Sequence, residues 1–490
     1  MNNDSLNRYY FKRLVITLAV IMGMFVVAYI YRDTKLGMFN KTDYKAIRDT
    51  LTQSVSEFES NEDMAEYLTD WANSLNLKYT EDSAGNIIFS PKRTRSDAKD
   101  NAVVCVSYNY KTAEKNAPLI AAAQYIAQSD IRTTKYNVIF FNNDNGDFGG
   151  YKNISKKYFP NNSKVIYLDY SDKSYASLKS FNETRASYAI KKSTTSSTCD
   201  SAVHLTIKGV QTDEVTSSIS SQPNPITAFG TVLSQLESRA SHYEISNLKV
   251  INEGNMFPSS LEVDILVNSY SLENLTEYLD KRSEAFVDKY EEDFPEIEYT
   301  YEVIEDDSKI PSNCYTEDVC KSINNIIYTF NNGTYRFDED DDIPADYKED
   351  DIYGINSIEQ LRETDNMMYI DICTQALTDG YMKKIVSDNK TIASFSHSKY
   401  VENESCSAFS NNDESLYNQL NFTYIKVNDA TLKNFIIKEK EDFYFTPCSY
   451  IQELNSKADI IHLAVNEDSV NVITNTVLCF IDSLGRFLSL

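Results

Sequence analysis

Four histidines, one tryptophan, thirteen glycines and ten prolines in 490 residues leave little material for several common chemistries. Glycine is scarce, and no Gly-x-Ser-x-Gly elbow, P-loop or Gly-x-Gly-x-x-Gly turn occurs, which removes serine-hydrolase and nucleotide-binding readings. The eight cysteines (Cys105, Cys199, Cys314, Cys320, Cys373, Cys406, Cys448, Cys479) are too sparse and irregular for a disulfide scaffold. No Cys-x-x-Cys pair points to zinc or redox work. Cys314 with Cys320, or Cys406 with Cys448, could bridge outside the cell, and the spacing leaves that open. Basic charge is also short: 47 Lys and Arg against 73 Asp and Glu give a formal net charge of -26. That balance excludes nucleic acid as an expected partner and argues against docking of the folded part on anionic lipid. The acidic run 338–342, with Asp346 and residues 349–351, lacks the glycine and alternating spacing of an EF-hand, so it reads as a solvated loop.

What the chain does have is apolar mass. Hydrophobic residues make up 42% and aromatic residues 12%, enough for more than one core and two or three domains. Residues 14–31 (LVITLAVIMGMFVVAYIY) are uncharged, and at ~1.5 Å per residue they span roughly 27 Å of hydrocarbon. They predict a transmembrane helix flanked by interface aromatics at Tyr9, Tyr10, Phe11, Tyr29 and Tyr31. Arg8, Lys12 and Arg13 precede the span, which places a tail of residues 1–13 in the cytoplasm and the main domain outside it, at the cell membrane.

Beyond the anchor, Met64, Leu68, Trp71 and Leu75 recur at helical spacing. Asp82-Ser83-Ala84-Gly85-Asn86 then turns into a strand at 87–90. Apolar runs at 103–106, 136–141 and 165–168 alternate with a helix expected over 118–128, a pattern that predicts a mostly parallel α/β sheet. The run 136–141 leads into Asn142-Asn143-Asp144-Asn145-Gly146-Asp147-Phe148-Gly149-Gly150, a polar, glycine-punctuated turn where open α/β sheets place their sites. From 202 to 304 the order becomes β-α-β-β-α-β, a ferredoxin-like sandwich, with Asn224 and Pro225 opening its first helix. A helix near 318–330, a strand near 367–374 and a last strand and helix around His462 predict a return to α/β character. The boundaries are therefore 42–200 for the first part of the sheet domain, 201–310 for the inserted unit and 311–490 for the second part.

With those residues in place, the chain resembles the two-zinc exopeptidase and amidohydrolase family that includes peptidase T, aminoacylase, acetylornithine deacetylase and bacterial carboxypeptidases. The resemblance covers about residues 55–310 and the last forty. It rests on Glu62 before a helix, the 82–86 turn, an inserted lid carrying Asn255-Met256-Phe257-Pro258, and His462 with Glu467 before the last helix. It implies a zinc-exopeptidase-like, mostly parallel sheet with an inserted ferredoxin-like α+β lid, here preceded by one transmembrane helix. It also implies where the site has changed. The family's His-x-Asp aligns with Tyr108-Asn109-Tyr110, and its Glu-Glu pair of general base and ligand aligns with Asn143-Asp144. Glu114, Asp144, Asp169 and His462 remain as positions for zinc, one ion or none, and Asn255 as a lid residue facing substrate. An asparagine at the general-base position cannot accept a proton at neutral pH, and general-base catalysis contributes typically ~10²–10⁴-fold. His204, His242 and His397 show no ligand spacing.

Three readings follow. The first is a membrane-anchored, extracytoplasmic, non-catalytic binding or scaffolding module for a peptide or envelope ligand. The second is a divergent zinc exopeptidase or deacylase acting on peptides or N-acyl amino acids. The third is a structural envelope protein forming a homodimer through the lid.

Overall fold

A computed structural model describes residues 39–90, 101–131, 133–144, 148–172, 174–210, 221–239, 241–252, 257–339, 343–344, 347–411, 414–428, 437–438 and 446–484. The expected span at 14–31 and the lid residue Asn255 lie outside the described residues. Among the described residues no helix is long and apolar enough to cross a membrane.

The chain opens with helices α1 (Lys41–Val55) and α2 (Asn61–Ser74), the latter started by a capping box in which Ser60 and Asp63 satisfy each other's backbone N–H groups. Strands β1 (Tyr79–Glu81), β2 (Ile87–Phe89) and β3 (Asn101–Tyr108) lead to α3 (Ala113–Gln128). This helix starts at Ala113 rather than at Pro118, so the proline, without an N–H for the preceding turn, sits inside it. Buried Ala113 and Ala117 lengthen its packed face. Then come β4 (Lys135–Asn142), α4 (Gly149–Asn153), β5 (Lys164–Tyr170), β6 (Tyr175–Ser177), β7 (Asn182–Lys191) and β8 (Thr194–Ser196).

The next segment is the expected β-α-β-β-α-β unit: β9 (Ser201–Lys208), α5 (Pro225–Ser238), β10 (Tyr243–Ile251), β11 (Ser260–Val267), α6 (Ser269–Tyr290) and β12 (Glu298–Val303). Its sheet order, β10-β11-β9-β12, is antiparallel throughout, as a ferredoxin-like unit requires. There follow β13 (Asn313–Tyr315), α7 (Glu317–Thr329), β14 (Gly333–Arg336), β15 (Ile352–Glu363), β16 (Met367–Ala376), α8 (Asp379–Phe395), β17 (Lys399–Cys406) and α9 (Ser415–Asn428). The chain finishes with β18 (Ile437–Lys438), α10 (Cys448–Leu454), β19 (Asp459–Val465) and α11 (Val470–Leu484).

Three main sheets result. The eight-stranded sheet runs β1-β2-β4-β3-β5-β19-β6-β18, and its centre, β4-β3-β5-β19, is parallel. Helices α1, α2, α3, α9 and α11 bury one face and α4 with α10 the other, which is why these strands read as continuous apolar runs. The third sheet, β14-β15-β16-β7-β17, is antiparallel. Leaving out β14 at its edge, its elements in chain order are β7, α7, β15, β16, α8 and β17. That is a second ferredoxin-like unit, with the first nested inside it between β7 and α7. The chain therefore returns to the eight-stranded sheet after β17, not at residue 311. The α/β alternation expected from 311 onward came from α7 and β16, whose partners are antiparallel.

The two α+β units share one core, running from Ala186 and Tyr188 through Val203 and Leu233 to Ile358 and Ile370. Helices α5 and α7 come very close at Gly230, where an added Cβ would lie 2.2 Å from Ile327 Cγ2. In the outer unit a largely buried Arg185 reaches Glu183 at 3.0 Å and Glu359 at 3.9 Å. Burial raises the Glu359 carboxyl to about 7, with Arg185 pulling it down and Glu183 pushing it up.

Two outcomes are expected. Gly230→Ala should cost about 1–3 kcal/mol through overpacking, read as a lower denaturant midpoint. Glu359 ionises in the unfolded chain near its ordinary 4.5 but in the folded one only near 7. Stability should therefore fall as pH rises between those values and level off above them. Glu359→Gln should flatten that slope in denaturation curves taken at several pH values.

Candidate functional site at the carboxyl end of the parallel sheet

Strands β3 and β4 run in parallel register, with Tyr108 opposite Asn142, and deliver their last residues to one end of the sheet. What gathers there is a web of asparagine amides. Asn61 Nδ2 donates to Asn142 Oδ1 at 2.6 Å, and Asn61 Oδ1 accepts the Tyr110 N–H at 2.8 Å. Asn142 Nδ2 donates to the Ala84 carbonyl at 3.1 Å, while the Asn142 N–H reaches Asn86 Oδ1 at 3.1 Å. Asn86 Nδ2 in turn bonds the Gly150 carbonyl and Asp82 Oδ2, each at 2.9 Å. Asn109 Nδ2 donates to the Asn143 carbonyl at 2.7 Å, and Asn143 Oδ1 takes the Phe148 N–H at 2.9 Å.

The sequence holds this web together locally. Gly150 is required by close approach: a Cβ there would lie 2.4 Å from Asn86 Oδ1 and 2.5 Å from the Asn142 carbonyl. Tyr108, buried to 1% exposure, gives its hydroxyl proton to the Gly85 carbonyl at 2.6 Å. Burial, with Glu81 and Asp82 nearby, pushes that phenol well above its ordinary value and keeps it a donor.

The expected ligand positions are dispersed. Asn143 is tied to the backbone on both sides, its N–H to the Tyr108 carbonyl and its side chain to Phe148. Asp144 is half-buried and gives only its backbone carbonyl to Asn109. Glu114 is exposed in the first turn of α3. Asp169 and His462 do meet: β5 and β19 pair His462 with Tyr167, and His462 Nε2 lies 3.4 Å from Asp169 Oδ2. His462 is 1% exposed and its ring stands 4.9 Å from that of Tyr167. Asp169 Oδ1 accepts the Tyr170 N–H at 3.0 Å. Among the described residues, no group of three that could hold an ion includes any of Glu114, Asp144, Asp169 or His462. A structural or catalytic zinc needs three or four protein donors, so the donor set here does not fit the family's metal pair.

Asn61, Asn86 and Asn142 are the residues that sequence reasoning passed over. Asn86 and Asn142 carried a signal, since one closes and the other opens a turn already singled out, whereas Asn61 stood beside the marked Glu62, which is exposed. Elsewhere, His204 pairs with Asp264 at 2.7 Å across β9 and β11.

A mostly parallel sheet with α+β units inserted between its third and fourth long strands, β5 and β19, defines a metallopeptidase-like hydrolase fold. No protein-family model matches the chain and no curated protein matches it in sequence. Solved structures do. The aminoacylhistidine dipeptidase of Vibrio alginolyticus superposes with a TM-score of 0.55 at 10% identity, over 89% of this chain and 96% of that one. A tripeptidase of Staphylococcus aureus matches at 0.45 and 10% identity over 92% and 100%. A dinuclear metal-binding peptidase of the M20 family from Bacillus subtilis matches at 0.39 and 7% over 91% and 99%. The chain thus has the fold of the two-zinc exopeptidases and amidohydrolases.

Asn142→Ala should strand the Ala84 carbonyl and the Asn61 amide and lower stability by about 1–3 kcal/mol. An unchanged denaturant midpoint would show that water replaces the amide at no cost.

Proposed function

We propose that this chain is a membrane-anchored, extracytoplasmic protein that uses the metallo-exopeptidase fold as a non-catalytic binding or scaffolding module. One observation carries the reading: where the resemblance puts a zinc ligand and a general base, this chain has Tyr108, Asn109 and Asn143, each consumed by hydrogen bonds to backbone. Amides neither accept a proton at neutral pH nor supply the anionic donors that a zinc pair needs. The uncharged stretch 14–31 supports the anchor, and the acidic surface agrees with a folded part standing clear of anionic lipid.

A ligand of this module has a place to bind. A cavity of about 570 Å³ lies between α8 and the strands β7 and β17, lined by Asn182, Asp379, Lys383, Lys390, Glu402 and Cys406 among others. Neither Asp169 nor His462 lines it, so occupancy there would not depend on the former metal site. Both signs of charge at its wall suit a peptide or another zwitterionic ligand. The β10 side of the inner unit already meets β13 and β15, through Ser246 Oγ to the Asn313 carbonyl at 2.8 Å and Asn252 Nδ2 to the Glu359 carbonyl at 3.3 Å.

The Asp169–His462 approach favours one alternative, a divergent one-zinc exopeptidase or deacylase. Zinc-loaded protein offered dipeptides, tripeptides and N-acyl amino acids should show no hydrolysis above the metal-only blank. Its zinc content should be the same in Asp144→Ala and His462→Ala variants. Turnover, or stoichiometric zinc lost in both variants, would establish the enzyme instead.

A further inference from the structure

The donor cluster that does assemble lies elsewhere. Between the two α+β units, the loop after β8 carries Ser197, Thr198 and Cys199, and β10 opens with His242 just before it and Glu244 inside it. The Cys199 Sγ, a His242 ring nitrogen and a Glu244 carboxylate oxygen all lie within 4.8 Å of one another. Among the described residues this is the one group of three such side chains placed to hold an ion. We propose that Cys199, His242 and Glu244 form a zinc site that fastens the neck of the inner unit.

The chemistry selects the metal. A thiolate, an imidazole and a carboxylate together suit zinc, and they exclude calcium and magnesium, which take oxygen donors. Zinc sits ~2.0–2.3 Å from such ligands, so small side-chain rotations would close the observed spacing around it. The surroundings hold the ligands as metal sites require. Glu244 Oε1 accepts the Thr198 hydroxyl at 2.7 Å and the Thr198 N–H at 3.0 Å, and Oε2 accepts the Ser197 hydroxyl at 2.5 Å. The Cys199 N–H donates to Ser197 Oγ at 3.1 Å, which fixes the loop. His242 Nε2 stands 3.3 Å from Glu244 Oε1 and 3.1 Å from Thr198 Oγ1.

A second observation points the same way. Glu244 is 7% exposed, and among the described residues the basic group paired with it is His242, itself half-exposed. Among the described residues no lysine or arginine forms an ion pair with this buried carboxylate, whose charge rests on the hydroxyl and N–H donors of Ser197 and Thr198, so it offers a metal an anionic donor. A further thiol stands close by. Cys314 on β13 pairs with Thr195 on β8, and its thiol donates to the Thr195 carbonyl at 3.7 Å, with the Glu244 carboxylate near enough to push its pKa up. Since β8 leads into the inner unit and β13 leads out of it, zinc held here would join both connecting segments to β10.

The site is tested on full-length protein purified under reducing conditions, stripped with chelator and titrated with cobalt(II) and then zinc. The expected result is a tetrahedral cobalt spectrum with a thiolate-to-metal charge-transfer band, displaced by one equivalent of zinc. Cys199→Ser should abolish the band and His242→Ala should weaken binding at least as much as Thr198→Val, which removes a supporting hydroxyl and should cost ~10–100-fold. The Asp169→Ala/His462→Ala double variant should leave the spectrum unchanged, which separates this site from the one at the sheet's end. Circular dichroism of Thr198→Val and His242→Ala checks that the fold survives. The proposal is overturned by absence of the band, by a band that persists in Cys199→Ser, or by a Cys199–Cys314 disulfide in peptides mapped without reductant.

Discussion

The organising constraint is that the end of a parallel sheet cannot leave its polar groups unpaired. Strands β3 and β4 stop at Tyr108 and Asn142, and the turns around them expose the carbonyls of Ala84, Gly85, Asn143 and Gly150. In a metalloenzyme of this fold such a place is organised by ions and their ligands. Here it is organised by amides, each of which both donates and accepts. Asn142 bonds on both sides of its side chain, Asn61 does the same, and Tyr108 closes the last carbonyl. The web's charged member, Asp82, is only half-buried and is held by the Ala84 and Asn86 donors, so the web supports the sheet without a cation.

The second organising fact is nesting. Two ferredoxin-like units share a core through Tyr188, Leu233, Ile326 and Ile370, and their helices touch where Gly230 admits Ile327. Because the outer unit is interrupted by the inner one, the neck between them carries two passes of the chain, β8 going in and β13 coming out. Polar contacts concentrate there, from Glu244 with its hydroxyl donors to Ser246 on the Asn313 carbonyl.

Much of this was legible in the sequence where periodicity was strong. The runs ending at Phe141 and Leu168 became β4 and β5, and the β-α-β-β-α-β order over 202–304 became β9 to β12 with α5 and α6. Asn224 and Pro225 opened α5 as cap and first residue. Strand β7 was hidden because its residues, from Asn182 through Glu183, Thr184 and Arg185 to Ser187, are polar yet largely buried: Arg185 meets Glu183, while Asn182, Thr184 and Ser187 bond Asp379, Ser405 and Asp371 elsewhere in the outer unit, and composition cannot reveal that. Missing β7 concealed the second unit and so misplaced the chain's return. At the site, the uncharged Tyr108, Asn109 and Asn143 were legible, but not that Asn61 and Asn86 would complete a network, because that depends on turns meeting in space. The Cys199–His242–Glu244 cluster was invisible for the same reason: its members are brought together by β8 and β10, not by spacing.

Nesting also sets an order in time. Strand β7 must pair with β16 and β17, Lys191 meeting Met367 and Ala189 meeting Lys399, and an unstructured chain of that length pays a large entropy to bring such ends together. Once β9 to β12 have folded on their own local contacts, the intervening segment is short, because β8 and β13 already lie side by side. The inner unit is then the step on which the outer one waits, and a lesion in it, even far from β7, should show itself as slow refolding of the outer unit as well.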